Sequence, residues 1–334
     1  MLLIEELIHA VFVDKKRVVA VENGTEIWSL PKDGNVYWDG SSTKRLVIQP
    51  QWLQLYTQLI GGAQTHVLLE GKAGRGKSVF LRYMIIRMLE DPAIPHAATL
   101  AYVVMDSMGD SRTFWIAKKG FGVNVVDHIP ERPDYLLLDN VDSALNMRGE
   151  KLNLGLTSGD RELLKEFRKR VNEAGERGQN YAMLSLDLKV ITLMFSDLSL
   201  AERQFRFDVL GGNPRMFRCK EPTSISEETK LLVYPELQSC IRTFFGTAYD
   251  FKKTTPEGLR ARWAMSVIAR EVEQSADCDS SLFRAEFTSE DGSSETRFAT
   301  TFLRLVAGAL DSKNNATLRE ALKRIVGSSG LGYS

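Results

Sequence analysis

The hydrophobic positions between residues 66 and 186 form short continuous runs, separated by stretches with helical spacing. A continuous apolar run is typical of a strand buried on both faces of a parallel sheet, whereas an apolar stripe at intervals of three and four residues indicates a helix. Strands are predicted at 66–70, 99–105, 135–139, 152–158 and 181–186. Because helical segments such as Asp160–Ala174 alternate with these strands, the sequence predicts an α/β domain with a parallel sheet in three αβα layers.

The stretch from residue 112 to residue 128 does not follow this alternation. Two short β-like pieces, Phe114–Ile116 and Val123–Val126, lie on either side of Lys118-Lys119-Gly120. We predict a β-hairpin insertion here.

Short apolar pieces and turn dipeptides alternate in residues 1–45. The pieces lie at 11–13, 18–21, 26–30 and 35–38, and the dipeptides Asn23-Gly24 and Asp33-Gly34 are typical of tight turns between strands. This pattern predicts a small β-rich N-terminal segment. A strand before Pro50 and a helix after it follow, and the helix has an apolar face formed by Trp52, Leu55, Tyr56 and Leu59.

Beyond Phe217 the spacing of apolar residues is mostly helical, with segments near 226–245, 256–273, 298–310 and 317–326 and a polar loop at 289–295. We therefore expect three parts: a β-rich segment at 1–45, an α/β core at 46–217 and a mostly helical region at 218–334. Residues 328–334 are glycine-rich and have no helix-capping or core pattern. We expect the natural chain to continue from there into a further domain.

The composition excludes several classes of protein. Lys plus Arg equals Asp plus Glu, at 43 residues each, so no overall charge attracts the chain to nucleic acid or to an anionic membrane. The three cysteines have no paired spacing, which argues against a disulfide framework or a zinc site and favours a reducing, intracellular compartment. No apolar run approaches the roughly 18 residues that span a bilayer, so we expect no membrane partner.

The turn after the first predicted core strand matches the phosphate-loop pattern G-x-x-x-x-G-K-[ST] at every fixed position. Its residues, all predicted to bind phosphate, are Gly71, Lys72, Ala73, Gly74, Arg75, Gly76, Lys77 and Ser78. Glycines let backbone N–H groups face a polyphosphate, and the helix that follows adds the N–H groups of its first turn. Lys77 is expected on the β- and γ-phosphates of ATP or another nucleoside triphosphate, and the Ser78 hydroxyl on Mg²⁺.

Asp139 ends the strand Tyr135–Asp139 and is the predicted second Mg²⁺ ligand, the acid of a Walker B strand. In many ATPases a glutamate follows this acid and polarises the attacking water. Here Asn140 follows, and an amide cannot accept a proton. Asp142 is the candidate base, and the sequence therefore favours nucleotide binding with slow hydrolysis.

The turn Gly211-Gly212-Asn213-Pro214-Arg215 follows a helix-like stretch. One interpretation is that the turn brings Arg215 to the nucleotide, where a guanidinium stabilises the charge of the transferred phosphate. The other is a helix stop followed by an ordinary turn. The predicted catalytic residues are thus Lys77, Asp139, Asp142 and Arg215.

The order of these motifs resembles a known family. The segments IQPQWLQLY, LLEGKAGRGKS, YLLLDNVD, LNLGLTS, AMLSLDLKVITLMF and VLGGNPRMF, within residues 44–220, are similar to the P-loop NTPase module of the Crinkler effectors of oomycetes and fungi and of the trypanosome retrotransposon-hot-spot proteins. The resemblance implies a signal-transducing, AAA+-like ATPase with strand order 5-1-4-3-2. It also implies a location in the nucleus, with the nucleus of a host cell as one alternative. In many members of this group a nuclease domain follows the module.

We therefore expect Mg²⁺-dependent binding and slow hydrolysis of ATP. One alternative is a nucleotide-gated interaction module, which binds but hardly hydrolyses and acts through a protein partner or through homo-oligomer formation. Another is the NTPase part of a DNA-acting, nuclease-bearing protein. The last 34 residues favour the second alternative slightly, because their Lys and Arg outnumber their Asp and Glu by 5 − 2 = 3.

Overall fold

The computed structural model describes these residues of the 334-residue chain: 3–32, 35–38, 44–62, 65–71, 75–105, 111–126, 132–139, 149–157, 169, 178–217, 239–240, 243–244, 260, 263–264, 267–268, 284–288 and 294–311. The chain divides into two compact units, residues 1–183 and residues 184–334. The boundaries predicted at 45/46 and 217/218 differ from this division and stay predictions.

The first unit is built on a seven-stranded sheet. In chain order its strands are β4 (His66–Glu70), β5 (Thr99–Met105), β6 (Ser111–Ala117), β7 (Gly122–Val126), β8 (Tyr135–Asp139), β9 (Leu152–Thr157) and β10 (Gly178–Ala182). Their spatial order is β10-β4-β9-β8-β5-β6-β7. The pairs from β10 to β5 are parallel, and these five strands lie in the order 5-1-4-3-2 when they alone are numbered along the chain.

Strands β6 and β7 make the sheet mixed, where the sequence predicted a parallel one. A short connection at Lys118–Phe121 turns the chain from β6 into β7, and β6 pairs antiparallel with both β5 and β7. The predicted hairpin insertion between residues 112 and 128 is confirmed, and it extends one edge of the parallel sheet. The helix predicted at 160–174, and with it the third layer, lies outside the described residues apart from Lys169.

One face of the sheet packs against helices α2 (Pro50–Gly61) and α3 (Lys77–Glu90). Alternate residues of each strand, among them Leu69, Tyr102 and Leu137, enter this core because side chains of a strand point to opposite faces in turn. The apolar residues of α3 from Phe80 to Leu89 are almost all buried, as its sequence predicts. The predicted apolar face of α2 is buried too.

The described residues before Pro50 include a helix α1 (Leu3–Ile8), a π-helical turn (His9–Val13) and an antiparallel sheet of β1 (Val18–Glu22), β2 (Thr25–Ser29) and β3 (Arg45–Val47). The strand predicted at 11–13 is wrong, because that stretch continues the helix. The strand predicted at 35–38 is also wrong. The third strand is β3, whose Leu46 and Val47 are buried and whose range spans the predicted 45/46 boundary.

The N-terminal sheet lies on α3. The rings of Trp28 and Tyr83 are 5.2 Å apart, and the Arg17 guanidinium stacks on Trp28 and pairs with Glu90 at the end of α3. The N-terminal sheet and the helix that follows the phosphate loop therefore belong to one packed unit. Among the described residues, no helix is long and apolar enough to cross a membrane.

The second unit contains helices α4 (Leu188–Met194), α5 (Leu200–Leu210), α6 (Pro214–Phe217) and α7 (Thr301–Asp311) and a hairpin of β11 (Arg284–Thr288) and β12 (Ser294–Phe298). The Asp187 carboxylate caps α4 by accepting a hydrogen bond from the backbone N–H of Val190. The helix predicted at 298–310 is confirmed as α7. The hairpin adds two strands that the sequence did not predict, while the mostly helical character of residues 218–334 stays a prediction. The helix predicted at 317–326 lies outside the described residues.

Candidate functional site

The phosphate-loop sequence connects the buried strand β4 to the start of helix α3. The structure describes Gly71 and residues 75–78 of the loop, whereas Lys72, Ala73 and Gly74 lie outside the described residues. The strand and the helix that the motif requires are therefore both present in the predicted places.

Gly71 is packed so closely that no larger residue fits. A Cβ atom at this position would lie 2.9 Å from the Met183 Cβ and 3.4 Å from the Met183 carbonyl oxygen. Met183 cannot easily move, because it is fully buried and its N–H donates to the Glu70 carbonyl at 2.7 Å. In addition, the Gln51 side chain donates to the Ala182 carbonyl at 2.7 Å. The close approach of the Met183 backbone thus requires a glycine at the first position of the loop.

Gly76 precedes the first residue of α3 and adopts φ = +90°, ψ = 17°. This left-handed conformation favours glycine, and it turns the chain from the loop into the helix. Glycine has no side chain to cap the first-turn N–H groups of α3, and such groups are what binds phosphate at a helix N-terminus. The chain around Gly76 is therefore suited to an anionic ligand.

Lys77 lies across the loop. Its ammonium group donates a hydrogen bond to the carbonyl of Gly71, six residues earlier. The side chain therefore folds back over the span of backbone in which the motif binds phosphate. This contact holds the positive charge at the loop, where the sequence predicts it.

Ser78 and Asp139 come from distant parts of the chain and are in direct contact. The Ser78 hydroxyl donates to Asp139 Oδ1 at 2.9 Å, although the two residues are 61 positions apart in the chain. Strand β9 lies between β4 and β8, and all three are parallel, so their carboxyl ends meet at one edge of the sheet. Asp139 ends β8 at that edge and is 9% exposed. The two residues predicted to hold the metal are thus in contact.

Tyr102 is a further member of the site that sequence reasoning missed. Its hydroxyl donates to the other carboxylate oxygen, Asp139 Oδ2, at 3.1 Å. Burial raises the pKa of Tyr102 well above its ordinary value of 10, and the charge of Asp139 raises it further, whereas Arg82 opposes the rise. The phenol therefore stays protonated and remains a donor. The only sequence signal for Tyr102 was its hydroxyl within the apolar run of β5. Its contact with Asp139 depends on β5 lying beside β8 in the sheet.

The site fits a magnesium ion. The Ser78 hydroxyl and the Asp139 carboxylate supply oxygen atoms, which Mg²⁺ prefers, and they lie at the start of the helix that would face the phosphates. Among the described residues, no group of three His, Cys, Asp or Glu side chains forms a metal cage. Mg²⁺ needs no such cage, since it usually binds one or two protein oxygens together with substrate phosphates and water.

The roles of two of the predicted catalytic residues stay predictions. Asp142 and its neighbour Asn140 lie outside the described residues. Arg215 has its backbone in α6 of the second unit, and its role at the nucleotide stays a prediction.

The turn that carries Arg215 is nevertheless closely defined within the second unit. Gly211 ends α5 with φ = +68°, and a Cβ on Gly212 would lie 1.8 Å from the carbonyl oxygen of Leu186. Pro214 begins α6, and the buried Arg206 donates to the carbonyl of Phe217 at its end, at 2.7 Å. Both glycines and the proline have structural reasons to be there, which the helix-stop interpretation predicts.

Comparison with known proteins assigns the chain to no family. The chain matches no protein-family model, and no curated protein matches it. The resemblance to the Crinkler and retrotransposon-hot-spot modules therefore remains a hypothesis carried by the motifs themselves.

Proposed function

We propose that this chain binds ATP, or another nucleoside triphosphate, together with Mg²⁺ and hydrolyses it slowly. The observation that carries the proposal is the contact of the Ser78 hydroxyl with Asp139 Oδ1 at 2.9 Å, at the start of the helix that follows the phosphate-loop sequence. A serine that follows the loop lysine and a carboxylate at the end of another parallel strand of the sheet are the two protein groups that hold Mg²⁺ in P-loop NTPases. The strand order 5-1-4-3-2 of the parallel strands also supports this class.

Each residue of the site has a role in this proposal. The backbone N–H groups of the loop and of the first turn of α3 bind the phosphates, and Lys77 moves from the Gly71 carbonyl to the β- and γ-phosphate oxygens. Ser78 and Asp139 hold Mg²⁺, which neutralises negative charge that develops on the phosphate oxygens during hydrolysis. Asp142 is the candidate group for orienting water, and Arg215 the candidate for stabilising the γ-phosphate.

Hydrolysis adds water to the γ-phosphorus and breaks its bond to the bridging oxygen, which gives ADP, inorganic phosphate and a proton. A carboxylate next to the attacking water accelerates this step by accepting its proton. The residue directly after Asp139 is Asn140, which cannot do so. We therefore expect binding to be strong relative to turnover.

A second candidate function follows from the same residue. Because Asn140 cannot act as a base, the alternative to an enzyme is a nucleotide-gated module. Such a module binds nucleotide and then contacts a partner or another copy of itself. A multiple-turnover phosphate-release assay separates the two candidates. Sustained release that depends on Asp142 supports the slow ATPase, whereas binding without release, together with a nucleotide-dependent change in oligomer size, supports the gated module.

The test of nucleotide binding is the Lys77→Ala variant, titrated with a fluorescent ATP analogue in the presence of Mg²⁺. We expect its affinity to fall by at least about tenfold, because a charge-assisted contact to phosphate is lost. Lys119→Ala is the matched control, since Lys119 is an exposed residue of the β6–β7 connection. Equal affinity of Lys77→Ala and the parent chain would refute the phosphate-loop assignment.

A further inference from the structure

We infer that Tyr102 is a positioning residue for the Mg²⁺ site proposed above, on which this inference rests. Its hydroxyl fixes the Asp139 carboxylate with Oδ1 toward Ser78.

The register of the sheet explains why a tyrosine reaches Asp139. Tyr102 of β5 pairs with Leu137 of β8, and Val104 pairs with Asp139, so Tyr102 and Asp139 are diagonal neighbours on one face of the sheet. A diagonal separation is within reach of a long aromatic side chain. The Tyr102 hydroxyl lies 3.1 Å from Asp139 Oδ2, and the residue is only 2% exposed. A phenylalanine here would keep the ring and remove the donor.

The two hydroxyl donors bind different oxygens of the Asp139 carboxylate. Ser78 donates to Oδ1 and Tyr102 donates to Oδ2, so each oxygen has a direction imposed on it. Asp139 is nearly buried, and its side chain has few rotamers that satisfy both donors at once. Hydrogen bonds of this kind, made behind a metal ligand, orient the ligand and change metal affinity by about 10–100-fold when they are removed.

The experiment uses the full chain and a fluorescent ATP analogue, measured in EDTA and over a Mg²⁺ titration. For Tyr102→Phe we expect binding in EDTA to match the parent within about twofold, while the Mg²⁺ concentration at half-maximal enhancement rises about tenfold. A purely structural loss would weaken binding in both conditions. Urea unfolding of each variant establishes that it is folded.

Tyr56→Phe is the matched control, because the Tyr56 hydroxyl also donates to an aspartate, Asp91 Oδ2 at 2.7 Å. That pair lies at the other end of α3, about 20 Å away along a helix of 14 residues. We expect no change in the Mg²⁺ midpoint. A Tyr102→Phe midpoint equal to the parent's, or an equal shift in Tyr56→Phe, would overturn the inference.

If the parent chain itself binds no nucleotide with Mg²⁺, the proposed function fails and this inference with it, whereas normal parent binding with an unchanged Tyr102→Phe midpoint refutes the inference alone.

Discussion

Replacing Gly71 by alanine adds a single methyl group to the phosphate-loop sequence at a place where the structure leaves no room. The new Cβ would lie 2.9 Å from the Met183 Cβ and 3.4 Å from the Met183 carbonyl oxygen. Neither atom is the end of a flexible side chain, so backbone must shift. Overpacking of this kind costs about 1–3 kcal/mol. The shift also displaces the first residue of the phosphate loop, whose backbone N–H groups are proposed to bind the phosphates, and we therefore expect nucleotide affinity to fall by about tenfold as well.

Two glycines of the same unit separate crowding from backbone strain. Gly61 is in helix α2, and no atom lies within 4 Å of the place that an added methyl group would take, so alanine there is expected to be neutral or stabilising by up to about 1 kcal/mol. Gly120 has the same open space but φ = +75°, so alanine there costs about 1–2 kcal/mol through strain alone. Only Gly71→Ala is expected to change nucleotide binding.

The assay is urea unfolding followed by tryptophan fluorescence, with nucleotide titration of the folded variants. The free energy of unfolding is expected to be highest for Gly61→Ala and lower for both Gly120→Ala and Gly71→Ala. If Gly71→Ala unfolds at the same urea concentration as Gly61→Ala and binds nucleotide like the parent chain, the reasoning from the close contact with Met183 is refuted.

Two further predictions concern stability elsewhere. Gly212→Ala should destabilise the second unit by about 3 kcal/mol or more, because its Cβ would lie 1.8 Å from the Leu186 carbonyl oxygen; hydrogen exchange of α5 amides measures this, and protection equal to the parent's would contradict it. Burial alone would raise the pKa of Asp134, but hydrogen bonds from Lys151 and from Thr99 lower it below the ordinary 3.8, so its stabilising contribution is present above that pH and lost as the pH falls through the lowered pKa. Lys151→Met should therefore destabilise the chain at about pH 7 by up to about 1 kcal/mol and have almost no effect at about pH 2, as urea unfolding at the two pH values would show; an equal loss at both would contradict it.

Local sequence signals predicted the parts of the fold that depend on local order. The strand at 66–70, the glycine-rich turn and the apolar helix from residue 77 follow one another in the chain, so their pattern is sufficient to predict them. The contact of Ser78 with Asp139 also follows from sequence, since a phosphate loop and an acid at the end of a parallel strand are expected at one edge of a sheet.

Features set by distant partners were predicted less well. Strand β10 lies at Gly178–Ala182, whereas the apolar pattern placed it at 181–186, because its pairing with His66–Glu70 selects residues of low apolar content. The strand predicted at 35–38 was likewise wrong, since Arg45–Val47 pairs with β2 instead. The role of Tyr102 required the register of β5 against β8, which no local pattern contains.

The central claim is that Ser78 and Asp139 form a Mg²⁺ site that acts together with a bound nucleotide. Calorimetric titration of ATP into the parent chain and into Asp139→Asn, each with Mg²⁺ and with EDTA, tests it most directly. Asparagine keeps the size of the side chain but lacks the charge and one of the two acceptor oxygens that Ser78 and Tyr102 use. We predict that Mg²⁺ strengthens ATP binding to the parent by at least about tenfold and has almost no effect on Asp139→Asn, with both chains equal in EDTA. The same Mg²⁺ enhancement in both chains, or no ATP binding by the parent, would contradict the account.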